Sequence, residues 1–295
     1  MSGGFEYYQP RQLSEVLSLL ERYQDKARIL AGGTDLAVYI KEGIEHPEAV
    51  IDIKRCAGLK GLDVSEQGVY IGAQTTFSEL VAHPAVRMDY ALLWDCAHSV
   101  ASVGIRNRAT LVGNICSAVP SLDAAPALLC HDAVVHTVSA SGSRDICIHD
   151  WFRAPRQTAR QADELVLGVS FPKPAVRFSG IYLKLGRYRG EDLAQAGLGI
   201  LYTQQREYRL AFCAVGPIPT RARRIEQLIK GKTIDAELLS QARALVAEEV
   251  SPITDIRSSR EYRLHICEVM LQRGIQAVLE RYDGKPIHAA TVLGG

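Results

Sequence analysis

Apolar residues recur at Leu13, Val16, Leu17 and Leu20, the spacing of one helix face, and predict an amphipathic helix over residues 11–23. Short apolar runs at Ile29-Leu30 and Ala49-Val50-Ile51-Asp52-Ile53 read as strands. Residues 1–54 therefore follow a β-α-β-α-β order, as in a small open α/β subdomain. Residues 62–64 and 69–72 flank Glu66-Gln67-Gly68 as a hairpin, and Thr76-Phe77-Ser78-Glu79 has the spacing of a capping box that opens a helix. Residues 90–103 carry a further helical pattern.

Beyond residue 130 strand patterns take over, at 134–138, 145–148 and 164–171. Pro172-Lys173-Pro174 interrupts both strand and helix and predicts a boundary. Strand runs at 180–185, 196–202 and 208–215 follow, then helices at 221–230, 235–249 and 258–281. Strands first and helices after predict an α+β domain with helices on one face of an antiparallel sheet. The expected division is a first domain at 1–172 (subdomains of 1–56 and 57–172), a second at 175–285, and a tail at 286–295.

A chain of 295 residues has room for about two such domains. With 47% hydrophobic and 23% charged residues it has an ordinary globular composition, and a net charge of +1 gives no pull toward nucleic acid or membrane. The start has no basic and apolar pattern of a signal peptide, and no apolar run is long enough to span a bilayer. The 7 cysteines are scattered without a C-x-x-C pair, which predicts a reducing, cytoplasmic setting and no iron–sulfur or zinc site in this chain. The 8 histidines show no H-x-H or H-E-x-x-H spacing, and no metal site is expected.

The chemistry concentrates in two loops. Ile29-Leu30-Ala31-Gly32-Gly33-Thr34-Asp35-Leu36 reads as a strand, a turn without side chains and a helix start, with Thr34 or Asp35 as the cap. Free N–H groups at such a turn suit a phosphate, although an ordinary tight turn fits the same residues. The G-x-G-x-x-G spacing and a Walker lysine are both absent. A second loop, Ala109-Thr110-Leu111-Val112-Gly113-Asn114-Ile115, continues to Pro120-Ser121-Leu122-Asp123. Thr110 and Asn114 offer side-chain hydrogen bonds, Gly113 permits close approach, and Asp123 can accept bonds from hydroxyl groups. Alone, the first reads best as an ordinary tight turn and the second as a loop with a helix cap; two phosphate-compatible loops about eighty residues apart favour one shared extended ligand.

In these residues the chain resembles the FAD-binding medium subunit of the molybdenum hydroxylases, of the xanthine dehydrogenase and carbon monoxide dehydrogenase type. Ala31-Gly32-Gly33-Thr34-Asp35-Leu36 matches that family's A-G-G-T-D/S-L/I loop, and Thr110 to Asn114 its T-V/I-G-G-N loop. Pro120-Ser121-Leu122-Asp123 fits P-S/T-x-D at the family distance. Asp163-Glu164-Leu165-Val166 with Phe171-Pro172, then Lys184, Arg187 and Glu191-Asp192-Leu193-Ala194, and finally Ser259 to His265, follow in order. One position departs: Val112 stands where the family has glycine. A branched residue does not reach positive φ comfortably, so either the turn differs there or the family's glycine is one that tolerates replacement.

The resemblance implies a two-subdomain FAD-binding fold, PCMH/vanillyl-alcohol-oxidase-like, followed by a smaller α+β domain. It implies that Ile29 to Leu36, Thr110, Gly113 and Asn114 line the FAD diphosphate and ribityl chain, with Asp123 at the hydroxyl-bearing part. Leu165 is then expected to pack on the flavin and Lys184 to approach its polar edge, where a cation stabilises the reduced form. Glu191 and Asp192 are expected to shape the field there. No residue of this chain is expected to do acid–base catalysis. A large partner subunit is implied to oxidise substrate at a molybdopterin cofactor, and a small one to relay electrons through [2Fe-2S] clusters, in a dimer of heterotrimers. The FAD then passes electrons to NAD+ or another acceptor. The absent cysteine ligands argue against variant subunits with an inserted [4Fe-4S] cluster. Two other readings stay open: a stand-alone FAD reductase of the UDP-N-acetylenolpyruvoylglucosamine reductase type, and a flavin-free assembly subunit. Purines, other N-heterocycles, aldehydes and carbon monoxide all remain candidate substrates of the complex, a xanthine-type activity being preferred.

Overall fold

The computed structural model of the chain describes residues 4–188 and 192–293. Its first part is the expected β-α-β-α-β unit: strand β1 (Glu6–Tyr8), helix α1 (Leu13–Tyr23), β2 (Ala27–Leu30), α2 (Leu36–Lys41) and β3 (Ala49–Asp52). The strands pair in parallel in the order β1-β3-β2, with Ile29 opposite Ile51 and Leu30 opposite Asp52. Helix α1 buries Val16 and Leu20 from its apolar face. Strand β2 lies at the edge of this sheet, and the chain from Ile29 to Leu36 is half-buried.

A five-stranded antiparallel sheet follows, in the order β4 (Leu62–Val64), β5 (Gly68–Gly72), β10 (Leu165–Pro172), β6 (Val134–Ser139), β7 (Gly142–Cys147). Between β5 and β6 the chain makes helices α3 (Phe77–Ala82), α4 (Pro84–Asp89), α5 (Ala91–Ser99), α6 (Val103–Arg106), α7 (Leu111–Ser117) and α8 (Ala125–Cys130). The capping box at α3 forms as the sequence predicts: the Thr76 hydroxyl accepts from Glu79 N at 3.3 Å, and Thr76 N donates to the Glu79 carboxylate at 2.8 Å. The predicted helix over 90–103 instead ends at Ser99. Ala101 takes a left-handed φ of 36°, Arg106 donates to the carbonyls of Val100 and Ala101 at 2.7 Å each, and Ser102 caps α6. After β7, helix α9 (Ile148–Trp151) and a ribbon of β8 (Phe152–Ala154) and β9 (Gln157–Thr158) lead into β10.

The last sheet is antiparallel, β11 (Phe178–Leu185), β12 (Ala196–Thr203), β13 (Tyr208–Cys213) and β14 (Thr220–Arg221). Helices α10 (Arg223–Ile229), α11 (Ala236–Ala244), α12 (Val246–Glu249) and α13 (Arg260–Tyr282) follow. The sequence predicted helices on one face only, yet every residue of β12 is buried. Helix α13 covers one face, and α5 and α8 from the N-terminal half cover the other. Glycines make that second face flat: a Cβ on Gly180 would press on Leu92, and one on Gly199 on Pro126. The tail docks back through α14 (Ala289–Val292), and Arg273 donates to the carbonyls of Val292 and Leu293. No helix among the described residues is long and apolar enough to cross a membrane.

Candidate functional site

The edge strand β2 delivers the Gly32-Gly33 turn directly onto the backbone of the second loop. A Cβ on Gly32 would collide with the Arg108 carbonyl oxygen and stand 2.9 Å from Ala109 Cα, so only glycine lets the two chains touch. Gly33 has φ 79°, the left-handed region where glycine is unstrained. Asp35 stands at the N-cap position of α2 but makes no side-chain cap bond, contrary to the expectation for Thr34 or Asp35. Among the described residues, the N–H groups of Gly32, Gly33, Thr34 and Asp35 donate to no protein acceptor, while Gly33 and Asp35 offer their carbonyls to Ala37 N and Tyr39 N. A half-buried row of unsatisfied N–H groups requires an acceptor from outside the chain, water or an anion.

The second loop is a helix. Residues 111–117 form α7, and Thr110 is its cap, its hydroxyl accepting from Gly113 N at 3.0 Å. A Cβ on Gly113 would stand 2.8 Å from that hydroxyl, so glycine here preserves the cap. Val112 lies in the first turn with its side chain buried and is absent from the positive-φ residues. Position 112 therefore needs no positive φ, and a helical φ suits a branched residue. Asn114 accepts from Ala124 N at 3.3 Å through its side-chain oxygen, tying α7 to the segment that carries Asp123. Arg156, which the sequence did not single out, bridges α2 and the residue that follows α7. Its N–H donates to Ala118 O at 2.8 Å, and its guanidinium lies 4.7 Å from the centre of the Tyr39 ring on α2.

Asp123 and Lys184 meet at 2.8 Å with both side chains nearly buried. Lys184 also donates to Ser99 O at 3.0 Å, and the Tyr182 hydroxyl donates to the other Asp123 oxygen at 2.8 Å. Burial pushes the Asp123 carboxyl above its ordinary range, and the attraction of Lys184 and the Tyr182 hydrogen bond oppose that rise. The Tyr182 oxygen lies 3.3 Å from the Cys213 sulfur, whose thiol burial raises to about 12. Two other expected site residues do not join this cluster. Leu165 pairs with Val138 in the five-stranded sheet and is 1% exposed in the core, so it has no surface to offer a flavin. The Asp192 carboxylate accepts from Arg187 N, outside the Asp123 cluster. Glu191 lies outside the described residues.

Among the described residues no three His, Cys, Asp or Glu side chains are grouped to hold a metal ion. The structure thus assembles two features from the expected residues, the unsatisfied N–H row against the 108–114 segment and the Asp123–Lys184 pair.

Residues 3–174 match the family model of the FAD binding domain in molybdopterin dehydrogenase, and residues 182–278 that of the CO dehydrogenase flavoprotein C-terminal domain. The chain is 28% identical over 285 residues to a putative xanthine dehydrogenase FAD-binding subunit of Escherichia coli, covering 95% of this chain and 97% of that protein. It is 29% identical over 277 residues to the glyceraldehyde dehydrogenase medium chain of Sulfolobus acidocaldarius, with 93% and 98% covered. The fold superimposes on a chain of carbon monoxide dehydrogenase from Hydrogenophaga pseudoflava with a TM-score of 0.90 at 27% identity, over 95% of this chain and 99% of that one. Fold, ordered landmarks and both family models agree: the chain belongs to the family of FAD-binding flavoprotein subunits of molybdopterin dehydrogenases.

Proposed function

We propose that this chain holds FAD across the Gly32-Gly33 turn and the 110–121 segment, as the redox subunit of a heteromeric molybdenum hydroxylase. The observation that carries this reading is the row of unsatisfied N–H groups from Gly32 to Asp35, packed on the backbone of the second loop. Such donors suit the diphosphate. Asn114 fixes the distance from α7 to Asp123, which in turn orients Lys184. Bound FAD supplies the exchange between one-electron and two-electron transfer. The protein's part is to bind it, to place a cation at its polar edge and to exclude water.

On this reading residues 1–172 form the cofactor domain and 175–285 the second domain. Electrons arrive from [2Fe-2S] clusters of a small subunit, after substrate oxidation at a molybdopterin cofactor in a large one, within a cytoplasmic dimer of heterotrimers. They leave to NAD+ or another acceptor. A xanthine-type activity has the support of the Escherichia coli relative, while the Sulfolobus acidocaldarius relative is named for glyceraldehyde. Purification of the chain and its visible spectrum test the reading. A yellow protein carrying stoichiometric FAD is expected; a colourless one that takes up no FAD on reconstitution would refute it. Co-purification with iron- and molybdenum-containing subunits tests the assembly.

A further inference from the structure

Tyr182 on β11 binds two buried carboxylates at once. Its backbone N–H donates to Asp95 at 3.2 Å, and its hydroxyl donates to Asp123 at 2.8 Å. The sequence builds the niche that receives this hydroxyl. A Cβ on Gly197 would lie 2.5 Å from both the Tyr182 oxygen and the Cys213 sulfur, so only glycine on β12 lets the phenol reach this place. Gly197 pairs with Lys184 on one side and Cys213 on the other, which sets the niche beside the Lys184 stem. A phenol this deep in a protein needs a partner for its O–H, and Asp123 supplies it.

The two oxygens of Asp123 are divided between two donors. Oδ1 accepts from Tyr182, and Oδ2 accepts from Lys184 at 2.8 Å. Asp95 is already matched, by the Arg281 guanidinium at 2.7 Å. Cys213 on β13 and Cys96 on α5 act on the same carboxylate as thiols that burial keeps neutral, Cys213 at about 12 and Cys96 well above its ordinary value. The negative charge of Asp123 is therefore shared between one ammonium and one hydroxyl. At this separation, and away from water, the carboxylate cancels much of the Lys184 field. A hydroxyl donor draws negative charge toward Oδ1 without adding a charge of its own, and so leaves more of the Lys184 charge uncancelled.

We infer that Tyr182 is a positioning residue for flavin reduction: through Asp123 it governs how much of the Lys184 charge remains to stabilise the reduced cofactor. The inference rests on the proposed function, which puts the polar edge of FAD at Lys184. With 2% of its surface exposed, Tyr182 acts through these two side chains and not by contact. Lys184 is itself fixed by its bond to Ser99 O at 3.0 Å, so a change at Tyr182 reaches the flavin as a change of field with the cation held in place.

Tyr182→Phe removes the hydroxyl alone, since the ring and the backbone bond to Asp95 stay. Redox titration of the FAD-loaded full chain against a reference dye tests the inference. At a fixed potential the ratio of reduced to oxidised flavin is expected to fall about three- to tenfold in Tyr182→Phe, about 15–30 mV for a two-electron couple. The same substitution in an Asp123→Asn background is expected to move the potential less, because the route runs through the carboxylate. An unchanged or raised potential overturns the inference, and an equal fall in both backgrounds overturns the route through Asp123. A second measurement needs no flavin: carboxyl-carbon NMR of the FAD-free chain is expected to show Asp123 titrating at higher pH in Tyr182→Phe, since the lost bond favours the charged form. An unmoved Asp123 midpoint also overturns the inference. Failure to take up FAD refutes the proposed function and this inference with it, whereas uptake with an unmoved potential refutes the inference alone.

Discussion

Lys184 on β11 and Asp123 ahead of α8 form a 2.8 Å ion pair that joins the C-terminal sheet to the segment following the second glycine loop. Their chain separation is 61 residues, and neither has another charged partner in the cluster. Removing one member leaves the other as an uncompensated, nearly buried charge. Lys184→Met or Asp123→Asn is each expected to cost about 3–5 kcal/mol in denaturant unfolding, with the double variant costing less than the sum. Additive losses would mean that the two side chains are not energetically coupled. A lowered flavin midpoint potential in Lys184→Met tests the role of the cation at the polar edge.

Gly32→Ala places a methyl group against the Arg108 carbonyl. The two loops must separate, so FAD retention is expected to fall steeply. Gly33→Ala meets only the flexible Leu30 side chain but must hold a positive φ, a strain of about 1–2 kcal/mol. The ratio of flavin to protein absorbance after gel filtration checks both variants, and full retention in Gly32→Ala would contradict the proposed contact.

Restoring the family residue at 112 is expected to harm the protein. Val112 is buried in the first turn of α7, and Val112→Gly removes that packing while adding helix-backbone entropy, for a loss of about 2–4 kcal/mol. Thermal unfolding measures the loss. A stabilised Val112→Gly would show that the valine strains the loop after all.

His131 makes stability depend on pH. It is stacked on Phe171 with ring centroids 4.5 Å apart, neither ring nitrogen has a partner among the described residues, and burial lowers its pKa to about 3. The unfolded chain takes up a proton near pH 6.5, whereas the folded chain resists until about pH 3. The contribution is thus intact above pH 6.5 and is lost as pH falls, by up to about 1.4 kcal/mol per pH unit. Urea midpoints measured between pH 7 and pH 5 are expected to fall less in His131→Phe than in the native chain. An equal slope in both would assign the acid sensitivity to other groups.

Local signals in the sequence placed most elements because their physics is local. The Leu13–Leu20 stripe fixed α1, and Thr76 with Glu79 fixed the start of α3. The 110–117 stretch reads as a loop with a helix cap; the cap at Thr110 forms, but Leu111, Val112 and Ile115 carry the rest on as a helix. Covering both faces of β12 depends on α5 and α8, far away in the chain, and no strand pattern carries that information. The pairing of Asp123 with Lys184 was accessible only through the family resemblance, which named both residues separately. Arg156 lies in a two-residue turn between short strands, where nothing local marks it as the bridge from α2 to the end of α7.

On the proposed function, the N–H groups of Gly32 to Asp35 hold the FAD diphosphate. Hydrogen exchange of those amides, followed in the full chain with and without FAD, tests it most directly. Slow exchange is expected at 32–35 and across the facing 113–121 segment once FAD is bound. FAD binding that leaves amides 32–35 exchanging as fast as in the free protein would contradict it.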